Sequence, residues 1–205
     1  MTDDPEVSAD APDSPIRTAG TDHVTLVGSN ADDAVAFYRD CLGMPLVMRQ
    51  PNLDRPEVEH LYFDTGDGRL LTVFVEASRE TDGTPVPTDR GSVHHVAFRI
   101  AGDRLAEVRD ALDAAGHRVS EYDRGAFHSL YTRDPNGLTV ELIADKFVLP
   151  DDRRADVLAR AHARRVEDGA THVRGEHLRA ALDALGLPVE PVDLPEAPAG
   201  TGVEE

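Results

Sequence analysis

Two histidines in repeated surroundings and one isolated glutamate are the residues of this chain best suited to chemistry. The phrase Asp22-His23-Val24-Thr25-Leu26 recurs as His94-His95-Val96-Ala97-Phe98. Strand alternation sets His23, Thr25 and Val27 on one face of the first phrase, and His95, Ala97 and Arg99 on one face of the second. A lone strand histidine is more often a hydrogen-bonded structural residue than a ligand, but a recurring one marks equivalent places in two related modules. Glu141 is the only charge in Leu138-Thr139-Val140-Glu141-Leu142-Ile143. A buried carboxylate with no cation is costly enough to neutralise, so a partner is expected. Two imidazoles and one carboxylate suit a divalent metal with open coordination positions. This is the arrangement of non-haem Fe(II), and Mn(II) shares its preference for hard ligands. Aligning Leu71-Thr72-Val73-Phe74-Val75 with Leu138-Thr139-Val140-Glu141-Leu142 puts Phe74 where a fourth ligand would stand. The expected metal set is therefore His23, His95 and Glu141, with Glu76 joining only if the strand register slips.

The elements that must position these residues form two segments of one grammar. In the first, a strand at 21–28 leads to a helix at 31–42, whose stripe Ala34, Val35, Tyr38, Cys41 and Leu42 ends at Gly43. A strand near 45–49 follows, then a hairpin of 58–65 and 69–76 around Gly66-Asp67-Gly68. In the second, a strand at 92–100 leads to a helix at 103–115 and a strand near 117–121. A hairpin of 126–133 and 137–144 then turns at Asp134-Pro135-Asn136-Gly137. Both segments are β-α-β-β-β, an internal duplication. The expected fold is α+β: two tandem βαβββ modules forming a curved mixed sheet around the metal. Boundaries fall at 20–77 for the first module, 78–90 for a Gly/Pro-marked linker and 91–147 for the second. Residues 148–187 read as a helical extension without visible chemistry, whose histidines (His162, His172 and His177) are expected at the surface. The Pro- and acid-rich ends, 1–19 and 188–205, are expected to be disordered.

Composition narrows the function classes. The chain has 39 acids against 21 bases and a net charge of −18, with a single lysine, Lys146. Such an aspartate-rich surface resembles proteins that work in high salt, where screening removes self-repulsion. No basic stripe exists to displace counterions from phosphate, which excludes nucleic acid as an expected partner. No run of about 18 apolar residues is present, so no membrane span is expected. The start lacks the pattern of a secretory signal, and a cytoplasmic location is the expectation. The one cysteine, Cys41, cannot form an internal disulfide and fits a small buried hydrophobe.

Paired βαβββ modules, a histidine opening each, Phe37-Tyr38-Arg39-Asp40-Cys41-Leu42-Gly43, and Asp134-Pro135-Asn136-Gly137 before a Glu-bearing strand resemble the vicinal oxygen chelate superfamily. That superfamily includes glyoxalase I, fosfomycin and bleomycin resistance proteins and type I extradiol dioxygenases. The stretches 91–98 and 124–131 are similar to dioxygenases that open hydroquinones. The resemblance implies Fe(II) on His23, His95 and Glu141, a small aromatic substrate with O2, and a homodimer or modules paired within one chain. It also implies roles around the metal for His94, Arg124, Tyr131 and Thr25. Arg124 would stabilise a phenolate, Tyr131 would donate a hydrogen bond to substrate, and His94 or His128 would move protons. Relatives of this type often carry four modules, and residue 22 is Asp where they frequently have histidine. A glyoxalase-I-like lyase or isomerase, and a metal-free drug-sequestering module, are the competing readings. Phe74 speaks against the former, and the presence of all three ligands against the latter.

Overall fold

A computed structural model describes residues 7–196 of the chain; the expected disorder of residues 1–6 and 197–205 lies outside them. Residues 7–19 carry no helix or strand. The first module comprises β1 (His23–Val27), α1 (Ala31–Val35), β2 (Leu46–Pro51), β3 (Glu59–Asp64) and β4 (Leu70–Val75). The second comprises β5 (His95–Arg99), α2 (Leu105–Ala114), β6 (Ser120–Asp123), β7 (Phe127–Arg133) and β8 (Thr139–Asp145). Each forms a four-stranded mixed sheet, in the orders β1-β4-β3-β2 and β5-β8-β7-β6. The first and last strands of each module pair in parallel, and the remaining pairs are antiparallel. The duplication legible in the sequence is thus a duplication of topology.

Asn30 starts α1 by accepting the backbone N–H of Asp33 at 3.0 Å. The helix does not stay α to its end. Residues Ala36–Cys41 form a π turn, with the Leu42 N–H bonded to the Phe37 carbonyl at 2.9 Å. Both Phe37 and Tyr38 are buried. Gly43, at φ 75°, then releases the chain in a conformation that disfavours other residues.

The two modules share one core. Phe37, Tyr38, Leu61, Phe63, Leu71 and Val73 from the first pack in the same cluster as Leu105, Leu112, Leu130, Val140 and Leu142 from the second. Each sheet therefore has a core face and an opposite, open face. On β1 the open face is His23, Thr25 and Val27, and on β5 it is His95, Ala97 and Arg99, all exposed. The turn Asp134-Pro135-Asn136-Gly137 clasps the halves together. Tyr38 donates its hydroxyl to Asp134 at 2.9 Å, and the Ser29 N–H bonds Asn136 at 2.8 Å.

Helices α3 (Arg154–Glu167) and α4 (Gly175–Ala184) build a second cluster with Ala126, Phe147 and Leu149. They also cover one end of the second sheet's open face, where Arg154 pairs with Asp145 at 2.9 Å and lies 5.8 Å from the Phe127 ring centre. His177, expected at the surface, is buried instead. Its Nδ1 accepts the Arg174 N–H at 2.8 Å and caps α4. The start of the acidic tail also differs from expectation. Val148 bonds the Glu190 carbonyl at 2.9 Å and Val192 bonds that of Lys146 at 3.0 Å. A Cβ on Gly102 would lie 2.2 Å from Val192 Cγ1, so that glycine makes room for the returning chain.

Candidate metal centre

On the second sheet, β5 and β8 run parallel with His95 beside Thr139 and Ala97 beside Glu141. β7 then sets Tyr131 opposite Glu141. His95 and Glu141 accordingly share the open face, one row apart, with His95 Nε2 3.1 Å from Glu141 Oε2. Glu141 is only 6% exposed. Its other oxygen accepts the Tyr131 hydroxyl at 2.8 Å. Behind the imidazole, His94 Nδ1 lies 2.8 Å from His95 Nδ1. One of these two nitrogens must donate to the other, which fixes the ring and leaves His95 Nε2 facing the carboxylate.

Arg124 closes this half. Its Nε donates to the Tyr131 oxygen at 3.3 Å, and its guanidinium carbon sits 4.7 Å and 5.1 Å from the ring centres of Tyr122 and Tyr131. Burial, and then the bond to the Glu141 carboxylate, push the Tyr131 hydroxyl up, against a downward pull from Arg124. Tyr131 therefore remains a protonated donor through the neutral range.

The first sheet carries the other half. His23 lies 2.6 Å from Asp22 through its Nδ1, and Thr25 receives the Thr72 hydroxyl at 2.8 Å. Among the described residues, no three histidine, cysteine or carboxylate side chains of one chain gather closely enough to hold a metal ion. The structure thus brings His95, Glu141, Tyr131, Arg124 and His94 together and leaves His23 and Thr25 on the separate open face of β1. Two donors of the expected set, a hydrogen-bonded carboxylate and a braced imidazole, are of the kind a hard divalent ion takes, and His23, the expected third, does not stand beside them.

Two expectations change. His128, expected to move protons in the site, points to the core face. It stands three positions before Tyr131, and an odd spacing on a strand gives opposite faces. It is buried there, held 2.8 Å from Glu121. The counterpart of Glu141 is also not Phe74. Thr25 pairs with Thr72, as Ala97 pairs with Glu141, so Thr72 occupies the equivalent place. A neutral threonine hydroxyl is a much weaker ligand than a carboxylate, and that of Thr72 is given to Thr25 at 2.8 Å. Glu76 is bound by Arg79 at 3.0 Å, away from this position.

Residues 20–142 match the model of the Glyoxalase/Bleomycin resistance protein/Dioxygenase superfamily. The chain belongs to this superfamily. Among curated proteins it is 25% identical over 132 residues to the Bacillus subtilis (strain 168) protein named as ring-cleaving dioxygenase MhqE, covering 63% of this chain and 43% of that one. To the glutathione transferase FosA of Serratia marcescens it is 26% identical, over 58% of this chain and 77% of FosA. A solved Bacillus subtilis (strain 168) structure described as a dioxygenase superposes with a TM-score of 0.53 at 24% identity, over 62% of this chain and 41% of that one. This last likeness establishes the two-module vicinal oxygen chelate fold. The chain spans less than half the length of MhqE.

Sequence reasoning missed Tyr122 and the pair His60 and Tyr62. Tyr62 pairs with Thr72 as Tyr131 pairs with Glu141, making it the first-module counterpart of Tyr131. The spacing His60-Leu61-Tyr62, two polar aromatics flanking a core leucine, was the available signal.

Proposed function

We propose that this chain is a metal-dependent dioxygenase of the extradiol type, opening a dihydroxylated aromatic ring, hydroquinone or catechol, with O2. Fe(II) is the proposed metal and Mn(II) the alternative. The observation that carries the reading is the His95–Glu141 pair, 3.1 Å apart, with its carboxylate buried and its imidazole braced. The relatives named as ring-cleaving dioxygenases support the reaction class.

The proposed third ligand is His23 of a second copy, in a homodimer whose open sheet faces meet. Support comes from the exposure of both faces, the shared core behind them and the separation of His23 from the pair within one chain. A metal held there would supply a Lewis-acid centre. The protein's own residues do the rest. His94 orients His95, and Arg124, a permanent cation, stabilises the anionic oxygen of the substrate. Tyr131 donates its one hydrogen to Glu141 and holds that carboxylate in place, and Thr25, tied to Thr72, lines the wall beside His23. Both atoms of O2 enter the product as one ring carbon–carbon bond breaks, so no external reductant is consumed.

The match to most of FosA's length favours metal-dependent glutathione transfer as a second reading. A four-ligand, glyoxalase-I-like centre is disfavoured by Thr72. The test begins with anaerobic Fe(II) loading, where about one metal per chain is expected and both His23→Ala and Glu141→Ala lose it. Refolding the two variants together pairs half of them as mixed dimers with one intact site each, restoring about a quarter of the metal. Full occupancy in Glu141→Ala refutes the centre, and no recovery on mixing refutes the shared site. Oxygen uptake with a hydroquinone and catechol panel at high salt, against glutathione consumption and against hemithioacetal turnover under nitrogen, separates the reactions.

A further inference from the structure

Arg124 stands on the turn between β6 and β7, beside the candidate metal pair. Its Nε donates to the Tyr131 oxygen at 3.3 Å, and Tyr131 in turn donates to Glu141 at 2.8 Å. The residue is exposed, and its guanidinium lies over the rings of Tyr122 and Tyr131. A long, exposed side chain with so few contacts of its own keeps a fixed place only if its backbone is held.

The segment that follows β8 holds it. Gly125, at φ 83°, gives its N–H to Asp123 at 2.7 Å. The loop between α3 and α4 lies directly on this glycine. A Cβ there would stand 2.5 Å from the Val173 carbonyl oxygen and 3.4 Å from His172 Cδ2. Ala126 is buried in the cluster of Phe147, Val157 and Leu178. Lys146, the one lysine of the chain, reaches back to Asp123 at 2.7 Å, and its N–H bonds the Ala126 carbonyl at 3.4 Å. Asp123, Gly125 and Ala126 are thus each tied to the C-terminal segment, while the Arg124 side chain reaches toward Tyr131.

We propose that the C-terminal segment, through Lys146 and the α3–α4 loop, is the positioning element for Arg124, with Gly125 the residue through which the loop acts. The proposal rests on the reading of Arg124 as the cation that meets the anionic oxygen of the substrate, and deepens it. Helices with no chemistry of their own set where that cation stands. A misplacement of about 1 Å at such a group is enough to cost much of its effect.

The experiment uses two variants of the full chain. Lys146→Met keeps the stem and removes the charge that holds Asp123, and Gly125→Ala forces the Val173 carbonyl away. Tyr38→Phe, which loosens the module seam at Asp134 instead, is the control. In metal-free protein, nitrogen-15 NMR follows solvent exchange of the Arg124 Nε–H, assigned by its absence in Arg124→Lys. Exchange is expected to quicken about 3-fold or more in Lys146→Met and Gly125→Ala and to stay unchanged in Tyr38→Phe. Calorimetry then titrates catechol into anaerobic Fe(II)-loaded protein. Affinity is expected to fall about 5- to 10-fold in either variant, but less than about 2-fold when the same change is made in an Arg124→Ala background. Unchanged exchange in both variants, or an equal loss of affinity with and without Arg124, overturns the proposal. If Gly125→Ala does not fold, Lys146→Met decides alone. If wild-type protein takes up metal but no catechol, the extradiol reading fails, and the exchange measurement still decides whether the C-terminal segment positions Arg124.

Discussion

The substitution Tyr38→Phe removes one hydroxyl and leaves the packing of its ring unchanged. That hydroxyl, fully buried, donates to Asp134 at 2.9 Å. The same carboxylate receives the N–H groups of Asn136 and Leu138 at 2.9 Å each and the Asn136 amide at 3.0 Å. A hydrogen bond to a charged group contributes about 1.5–3 kcal/mol, and the low end applies because three donors remain to satisfy Asp134. At about 2–4 °C per kcal/mol for a chain of this size, a loss of about 1.5–2 kcal/mol lowers Tm by about 3–8 °C. Burial, and then Asp134, hold the Tyr38 hydroxyl well above its ordinary range. A group whose folded pKa is raised contributes stability below its unfolded pKa and loses it as pH rises past that value. The gap between wild type and Tyr38→Phe is therefore constant below about pH 10 and narrows above it. Calorimetry of Tyr38→Phe, Asp134→Asn and the double variant is the assay. Because Tyr38 and Asp134 are directly hydrogen-bonded, a coupling of about 1 kcal/mol or more is expected. Additive effects, or a Tm shift below about 1 °C for Tyr38→Phe, would refute the idea that this bond clasps the modules.

Three further outcomes follow from the same structure. In metal-free protein, the Tyr131 phenol, isolated by subtracting the ultraviolet titration of Tyr131→Phe, titrates above the ordinary tyrosine range; Glu141→Gln lowers that midpoint and Arg124→Ala raises it. Gly137 sits at φ 81°, and a Cβ there would lie 1.8 Å from the Thr84 carbonyl oxygen; Gly137→Ala is expected to destabilise by about 3 kcal/mol or more in chemical denaturation. Stripping metal with a chelator leaves the fold intact, because Glu141 is satisfied by Tyr131 and His95 without it. Unchanged far-ultraviolet dichroism checks this, and unfolding on chelation contradicts it.

The order of elements was legible because strand and helix periods survive in local sequence. What was not legible depends on pairing. The π turn at Ala36–Cys41 leaves no mark in an apolar stripe that fits an ordinary helix equally well. Phe74 was a plausible match for Glu141 because Leu-Thr-Val precedes both, yet β1 and β4 pair two residues out of step with that likeness. Register is decided by which side chains the whole sheet can bury, not by local similarity. His128 failed for a simpler reason: period 2 forbids it from sharing a face with Tyr131. The C-terminal helices were evident as helices, but their seat on Phe127 and Asp145 was not, since neither residue announces that it awaits a helix. His95, Glu141, Tyr131 and Arg124 could be grouped from sequence because three of them lie on one hairpin and its flank, and the fourth begins the strand that pairs with it.

That grouping also explains why the site is divided where it is. Every group around Glu141 comes from β5 to β8 or the residues that flank them, elements that one module positions through its own backbone pairing. His23 depends on no such pairing with them; it is fixed only relative to Thr25, Thr72 and the first sheet. A shared core behind the two sheets leaves both functional faces outward. Each chain would then present two rigid half-sites that cannot close on each other, and only a symmetric partner offers the missing half to both at once. On the proposed reading, metal affinity is therefore linked to dimerisation. Any ion that bridges His95, Glu141 and the second copy's His23 binds the dimer but not the separated chains, and so strengthens association by the free energy with which it is held.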